Sequence, residues 1–190
     1  MITKIKHTLS SIIGTSYSSL EHISNEVSNE ILSLKDSSTE IEDNPIGDIE
    51  ITHDGQFYIV DVKTQDIDKV YSVPNLISIK KAKDILKNYD KHIIYIFVEY
   101  KVRDFENIDM YESTITNIRV QTIESLDWSY LAIQNLGRGQ LQIKNTANGL
   151  TFNNEVTRTQ WFGELKDKSI EYYNNLILKV TEYKSEFEDE

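Results

Sequence analysis

The sequence predicts an α/β fold with α+β character, in which helices flank a central mixed β-sheet. Three patterns predict it: apolar residues at helical spacing near both ends of the chain, apolar and polar residues alternating over residues 47–63, and a nearly continuous apolar run over residues 92–102. A period of 3.6 indicates helices, a period of 2 indicates half-buried strands, and an unbroken apolar run indicates a strand buried on both faces.

The composition limits the class of protein. With 190 residues, of which 39% are hydrophobic, the chain can form a single domain over residues 1–190 with a sizeable core. It contains no cysteine, which excludes disulfides, thiolate zinc sites and cysteine nucleophiles and fits a reducing cytoplasm. No apolar run reaches the length of a signal peptide or a membrane span, so we expect a cytoplasmic protein without a membrane partner.

The helices and the remaining strands follow from spacing. Residues 17–35 predict an N-terminal amphipathic helix, and the polar residues 36–46 predict a loop. Beyond the alternating segment, we expect a helix over 75–89, a strand over 92–102, strands over 115–123 and 140–145, and a helix over 158–184. Trp128 and Trp161 fit the core better than a stacking surface.

The segment 47–63 predicts a β-hairpin. Strands over 47–53 and 56–63 are joined by Asp54-Gly55, a dipeptide typical of two-residue turns. This turn fixes a register in which Asp48 lies opposite Asp61. Alternation then places Asp48, Glu50, Asp61 and Lys63 on one face, and on the other face Ile49, Ile51, Tyr58, Val60 and Val62.

Two facing acids require compensation. At about 5 Å and an effective dielectric constant of about 20, Asp48 and Asp61 would repel by roughly 3 kcal/mol. A Mg²⁺ ion held by both carboxylates would remove this repulsion. Lys63, on the same face, could orient or deprotonate a water molecule or stabilise charge on a phosphate. The alternative is a surface hairpin whose acids are balanced by Lys63.

The net charge of −11 argues against a nucleic-acid partner at first sight. The acids, however, crowd residues 36–50 and the segment after Val180, whereas residues 61–144 carry equal numbers of basic and acidic side chains. A local positive groove could therefore form in the middle of the chain.

The stretch GDIEITHDGQFYIVDVKTQD, followed by VPNLIS, resembles the catalytic region of HincII-like type II restriction endonucleases, which belong to the PD-(D/E)xK superfamily and are related in plan to EcoRV. The matching features are Asp48 before the hairpin, the tetrad 61–64 and the segment 74–78. A weaker resemblance covers residues 126–134 and 157–161. Together the two resemblances imply a PD-(D/E)xK restriction-endonuclease-like fold, with a C-terminal DNA-contacting and helical part over residues 126–190.

The resemblance implies Asp48, Asp61 and Lys63 as catalytic residues. Asp48, Asp61 and the carbonyl of Val62 would bind Mg²⁺, for which Mn²⁺ would substitute. The expected activity is hydrolysis of double-stranded DNA at a short palindromic site, leaving 5′-phosphate ends. A homodimer would cut both strands, and a cognate DNA methyltransferase would be present in the same cell.

The resemblance also implies a set of DNA-contacting residues. These are Thr64, Gln65, Lys69, Ser72, Val73, Asn75, Asp127 and Arg138. Ser72 is small where the family has a long side chain, and Asp127 stands where the family has an asparagine. On the residues alone, Asn75 could instead cap a helix, and Arg138, between two glycines, could belong to a plain turn.

Other interpretations of the same residues stay open. The lysines of the predicted 75–89 helix could contact phosphates or simply form a solvated face; they are Lys80, Lys81 and Lys83. Glu26 and Glu30 could lend a further carboxylate to the site or be surface acids. The whole protein could be a repair or recombination nuclease of the same fold, or a non-enzymatic acidic binding module.

Overall fold

The computed structural model describes residues 1–43, 48–69, 74–105, 110–134, 139–144 and 151–188. Its helices are α1 (Ile2–Leu9), α2 (Leu20–Leu32), α3 (Ile79–Leu86) and α4 (Arg158–Glu188). Its strands are β1 (Ser16–Tyr17), β2 (Thr39–Asp43), β3 (Asp48–His53), β4 (Gln56–Asp66), β5 (Asn75–Ser78), β6 (Lys91–Phe105), β7 (Met110–Thr122), β8 (Leu131–Gln134) and β9 (Gln140–Ile143). Across these described ranges, no helix combines the length and the apolar character that a bilayer crossing needs.

Six strands form the main sheet, in the order β1-β7-β6-β4-β3-β2. The central neighbours β4 and β6 run parallel, and the other neighbouring strands run antiparallel. Helices α1 and α2 pack on one face, and α3 and α4 pack on the other. The predicted fold class, a mixed sheet flanked by helices, is therefore confirmed.

Strand β6 is buried on both faces, as its apolar sequence predicts. Ile94, Ile96 and Val98 belong to the core under α1 and α2. The alternate residues, among them Tyr95 and Phe97, belong to the core under α3 and α4. Each face of this central strand thus anchors a separate hydrophobic core.

The two tryptophans lie in the core on the α3 and α4 side, as predicted. Their ring centroids are 4.9 Å apart, and both side chains are buried. The Trp161 indole Nε1 donates a hydrogen bond to the Leu126 carbonyl at 2.9 Å, which satisfies its polar atom inside the core.

A second, three-stranded sheet with the order β5-β9-β8 was not predicted. Residues 75–78 were expected to be helical but form β5, which pairs with β9 and buries Leu76 and Ile77. Helix α3 begins only at Ile79, because the Ser78 hydroxyl caps it by accepting a hydrogen bond from the Lys81 amide at 3.2 Å. Tertiary strand pairing here overrides a helical spacing of apolar residues.

The loop predicted over residues 36–46 is wrong for residues 39–43. These residues form β2, which pairs with β3 at the edge of the main sheet. Its acidic residues kept the pattern from indicating a strand, yet charged side chains are common on edge strands because they oppose pairing with other chains. Helix α1, which buries Ile5 and Leu9 in the core, was also missed.

Candidate active site

The β3–β4 hairpin closes through the predicted turn. Asp54 and Gly55 have φ angles of 51° and 75°, the pair of positive values that a type I′ turn requires. The register that follows pairs Asp48 with Asp61 and Ile51 with Tyr58. The predicted register is therefore confirmed.

Asp61 and Lys63 contact each other on one face of β4. The Lys63 Nζ lies 2.7 Å from the Asp61 Oδ2, and the two side chains are 20% and 17% exposed, respectively. Residues i and i+2 of a strand share a face, so the spacing of the tetrad produces this contact directly. The pair is largely shielded from solvent, so salt screens it less than a surface pair.

A cavity of about 260 Å³ opens beside the Asp61 side chain, between the two sheets. The main sheet supplies Asp61 and Tyr95, and the start of α3 supplies Ser78 and Lys81. Gln140 closes the cavity from β9, and its Nε2 is held by a hydrogen bond to the Leu76 carbonyl at 2.7 Å. A carboxylate, an ammonium group, hydroxyls and an amide therefore line one small cavity that is open to solvent on one side.

The polar surface continues past Lys63 along the same sheet face. Gln65 pairs with Glu99 in β6, and the Glu99 carboxylate forms an ion pair with Arg119 and accepts a hydrogen bond from Asn117 Nδ2 at 3.1 Å. Burial lowers the pKa of the Arg119 guanidinium. The sequence analysis missed this cluster, although Glu99 interrupts an apolar run in the same way as Asp61.

A β-bulge lies next to this cluster. The pairing of β6 with β7 shifts register between Glu99 and Tyr100, which leaves Thr116 as the extra residue. The Thr116 hydroxyl donates a hydrogen bond to the Glu99 carbonyl at 3.0 Å. Bulges of this kind redirect side chains and recur beside functional sites.

The carboxylates available to a metal ion are few. Among the described side chains, no group of three or more His, Asp or Glu residues is close enough to share an ion. The Asp48 side chain lies outside the described ones, so only its backbone pairing with Asp61 enters the geometry. Glu26 and Glu30 belong to α2, on the other face of the main sheet, where they act with burial to raise the pKa of Tyr17.

The residues after the tetrad divide between the two faces of β4. The Val62 side chain packs against the core under α2. By strand alternation Thr64 lies on that same face, whereas Gln65 lies on the face of Lys63. Lys69, 74% exposed, pairs with Asp66 at 3.5 Å.

The remaining predicted DNA-contacting residues are dispersed. Asn75 is exposed in β5 opposite Gln142, so the alternative that it caps a helix is wrong. Asp127 caps a 3₁₀ turn, where a hydrogen bond of 2.7 Å from the Ser129 amide lowers the pKa of its carboxyl. Ser72, Val73 and Arg138 lie outside the described residues.

Comparison with known proteins gives little help. No protein-family model matches the sequence, and no curated protein matches it. Among solved structures, the NlaIV restriction endonuclease is similar over 87% of this chain and 85% of its own, with a TM-score of 0.40 and 11% identity.

Proposed function

We propose that this protein is a type II site-specific deoxyribonuclease that uses Mg²⁺ to hydrolyse double-stranded DNA. The observation that carries the proposal is the Asp61–Lys63 pair at 2.7 Å beside a partly open cavity, on a strand whose register sets Asp48 opposite Asp61. Two carboxylates on one face of a hairpin can hold a metal ion for phosphodiester hydrolysis, and a lysine beside them can stabilise charge on the phosphate.

The donor groups fit Mg²⁺. Asp48, Asp61 and the Val62 carbonyl would hold the ion, and all three offer oxygen, the donor that this hard cation prefers. Such an ion supplies Lewis-acid polarisation of a phosphate oxygen and lowers the pKa of a nearby water molecule. Mn²⁺, which accepts the same donors, would substitute for it.

Lys63 would act on the phosphate and its nucleophile. Its ammonium group is held at the Asp61 carboxylate, so the ion pair fixes the position of Nζ before substrate arrives. From there Nζ can donate a hydrogen bond to a phosphate oxygen, which stabilises the charge that develops on it, and can help to orient the attacking water. Cleavage on the 3′-oxygen side of the phosphorus would leave 5′-phosphate ends.

DNA would approach from the side of α3. Lys81 lines the same cavity as Asp61, and a lysine beside the site would favour contact with a DNA phosphate. Gln65 is exposed near the C-terminal end of β4, and Asn75 is exposed at the start of β5. Both side chains could contact the duplex from these positions.

A homodimer would cut both strands of a palindrome, since twofold protein symmetry matches twofold DNA symmetry. A cognate methyltransferase would protect the DNA of the same cell. If the DNA of that cell is methylated at a specific site and resists cleavage by this protein, the methyltransferase is present.

The test is digestion of unmethylated phage DNA with Mg²⁺, comparing the wild type with Asp61→Asn and Lys63→Met. We expect discrete fragments from the wild type, a rate at least about 100-fold lower for each variant, and ends that can be ligated without prior phosphorylation. The matched controls are Asp36→Asn and Lys4→Met, which alter an exposed ion pair of 3.4 Å between α1 and the segment before β2 and should keep full activity.

The outcomes separate the candidate functions. Discrete fragments identify a site-specific nuclease, whereas selective cutting of branched or damaged duplexes would identify a repair or recombination nuclease. If the folded wild type cuts no DNA with Mg²⁺ or Mn²⁺, the protein is not a nuclease and the binding-module alternative takes its place.

A further inference from the structure

From Ile170 onward, α4 carries a stripe of exposed apolar side chains. Near its start the helix is anchored in the core by Trp161 and Leu165. Further along, five residues at intervals of three, four and seven remain 41–79% exposed. They are Ile170, Tyr173, Ile177, Val180 and Phe187, and they are called the α4 stripe below.

The spacing of the α4 stripe is that of a helix pairing seam. Alternating intervals of three and four place side chains on one side of a helix, in the pattern of the a and d positions of a coiled coil. Lys184 occupies the remaining position of the seam. A long helix that presents such a seam to solvent is far more stable when a second helix covers it.

A groove continues the α4 stripe onto the body of the protein. It has a volume of about 600 Å³ and lies between α3 and the first half of α4. Ile79, Phe162, Ile170 and Tyr173 contribute its apolar surface. Lys80, Lys83 and Lys166 outnumber Asp84 in its lining, so the groove is apolar with a basic rim.

We propose that the α4 stripe and this groove form the interface of a homodimer, in which the α4 helices of two copies pair antiparallel. With the twofold axis between Ile177 and Val180, Phe187 of one copy lies opposite Ile170 of the other. Phe187, which is 79% exposed, would then enter the groove. This inference names the surface of the homodimer that is part of the proposed function.

Charge complementarity selects the second copy and its direction. From residue 182 onward the sequence holds five acidic residues and one lysine, whereas the groove has a basic rim. An antiparallel pair brings each acidic end to the lysines of the other copy. A parallel pair would bring the two acidic ends together, which is unfavourable.

The exposed area is sufficient for a stable dimer. With about 150–250 Å² for a complete aromatic side chain, the α4 stripe exposes on the order of 500 Å² of apolar surface in each chain. A standard interface buries roughly 800 Å² per partner, of which about 56–65% is apolar. The α4 stripe alone supplies that apolar share.

The test is sedimentation velocity of the full chain over a range of concentrations, without DNA. We expect a dimer whose dissociation constant rises at least about 100-fold in Ile177→Glu and in Val180→Glu, because each change occurs twice in a symmetric interface. Asn175→Glu is the matched control: it adds the same charge on the opposite side of α4 and should leave the constant within about threefold.

A charge swap tests the direction of pairing. Lys80→Glu with Lys83→Glu should weaken the dimer, and adding Glu182→Lys with Glu186→Lys should restore it. Glu182→Lys with Glu186→Lys alone should weaken an antiparallel dimer, because it brings lysines to the basic rim of the groove. The same change would strengthen a parallel dimer, so a stronger dimer would overturn the antiparallel arrangement.

Other outcomes overturn the inference outright. A wild type that stays monomeric, including one that binds phosphatidylcholine vesicles through α4, has no such interface. A dimer equally stable in Ile177→Glu and Asn175→Glu uses another surface. Sedimentation measures the mass without any DNA cleavage, so the interface and the nuclease activity are tested separately. A dimer that these variants weaken but that cuts no DNA supports the interface and refutes the nuclease. A monomer that cuts DNA supports the nuclease and refutes the interface.

Discussion

Asp48 and Asp61 are Cα partners in the β3–β4 hairpin, the last pair of the ladder that begins at the Asp54-Gly55 turn. Facing carboxylates are unfavourable in a sheet, and the Lys63 Nζ lies 2.7 Å from the Asp61 Oδ2. Under the proposed function, a bound Mg²⁺ ion would offset this repulsion.

Mg²⁺ should stabilise the wild type against unfolding and should fail to stabilise Asp61→Asn or Asp48→Asn. An ion that binds the folded chain alone contributes about 2.7 kcal/mol at a concentration 100 times its dissociation constant. The measurement is urea unfolding with EDTA and with Mg²⁺, and Asp84→Asn should respond like the wild type. Equal stabilisation of Asp61→Asn would place the ion elsewhere on the protein.

The Asp61–Lys63 pair should contribute more to stability than the Asp84–Lys87 pair. The first is about four-fifths buried with a distance of 2.7 Å, whereas the second is more than half exposed with a distance of 3.3 Å. Exposed pairs contribute about 0.3–0.5 kcal/mol on a helix, and we expect about 1–2 kcal/mol for the shielded pair.

Two double-mutant cycles measure this difference, one with Asp61→Asn and Lys63→Met, the other with Asp84→Asn and Lys87→Met. The coupling free energies come from urea unfolding of the four proteins of each cycle. Equal couplings would mean that solvent reaches the Asp61–Lys63 pair as freely as the pair on α3.

The sequence predicted the site geometry better than the architecture around it. The hairpin register depends on a local turn and on alternation, so Asp54-Gly55 was enough to pair Asp48 with Asp61. The second sheet depends on the pairing of β5 with β9, whose residues are more than 60 positions apart, and no local pattern contains that contact. For the same reason Gln140 and Lys81 could not be assigned to the cavity of Asp61.

Three Gly→Ala substitutions should change stability in a fixed order. Gly55 has a φ of 75°, and Gly55→Ala should lower the free energy of unfolding by about 1–2 kcal/mol because the left-handed region disfavours a Cβ. Gly139 has a φ of 72°, and Gly139→Ala should lower the free energy of unfolding further, since the added Cβ would also lie 2.6 Å from the buried Ile79 Cδ1. Gly163 lies inside α4, where an added Cβ would have no neighbour within 4 Å, so Gly163→Ala should raise the free energy of unfolding by about 0.5–1 kcal/mol.

Urea unfolding of the three variants checks this order. The Gly139 variant also tests the site, because the Gly139 carbonyl accepts a hydrogen bond from the Ile79 amide at 3.0 Å and so fixes α3 beside the cavity. A Gly139 variant as stable as the Gly163 variant would contradict the contact between β9 and α3.

His92 should make the protein less stable as the pH falls below about 6.5. Its ring stacks on Tyr58 with centroids 4.9 Å apart, and its Nε2 lies 2.9 Å from Gln56 Oε1. Burial, with the nearby Arg158 guanidinium, lowers the pKa of His92 in the folded protein. The unfolded chain, with a histidine pKa of about 6.5, then binds the proton more strongly.

The sign follows from linkage. Above about pH 6.5 both states hold a neutral His92 and its contribution to stability is complete. As the pH falls through that value the unfolded state gains a proton first, so the free energy of unfolding decreases until the folded pKa is passed. His92→Gln should flatten this decrease, whereas His7→Gln, at an exposed position of α1, should not. Urea midpoints between about pH 5 and pH 7.5 give the slopes, and equal slopes for the wild type and His92→Gln would show that protonation of His92 is not coupled to folding.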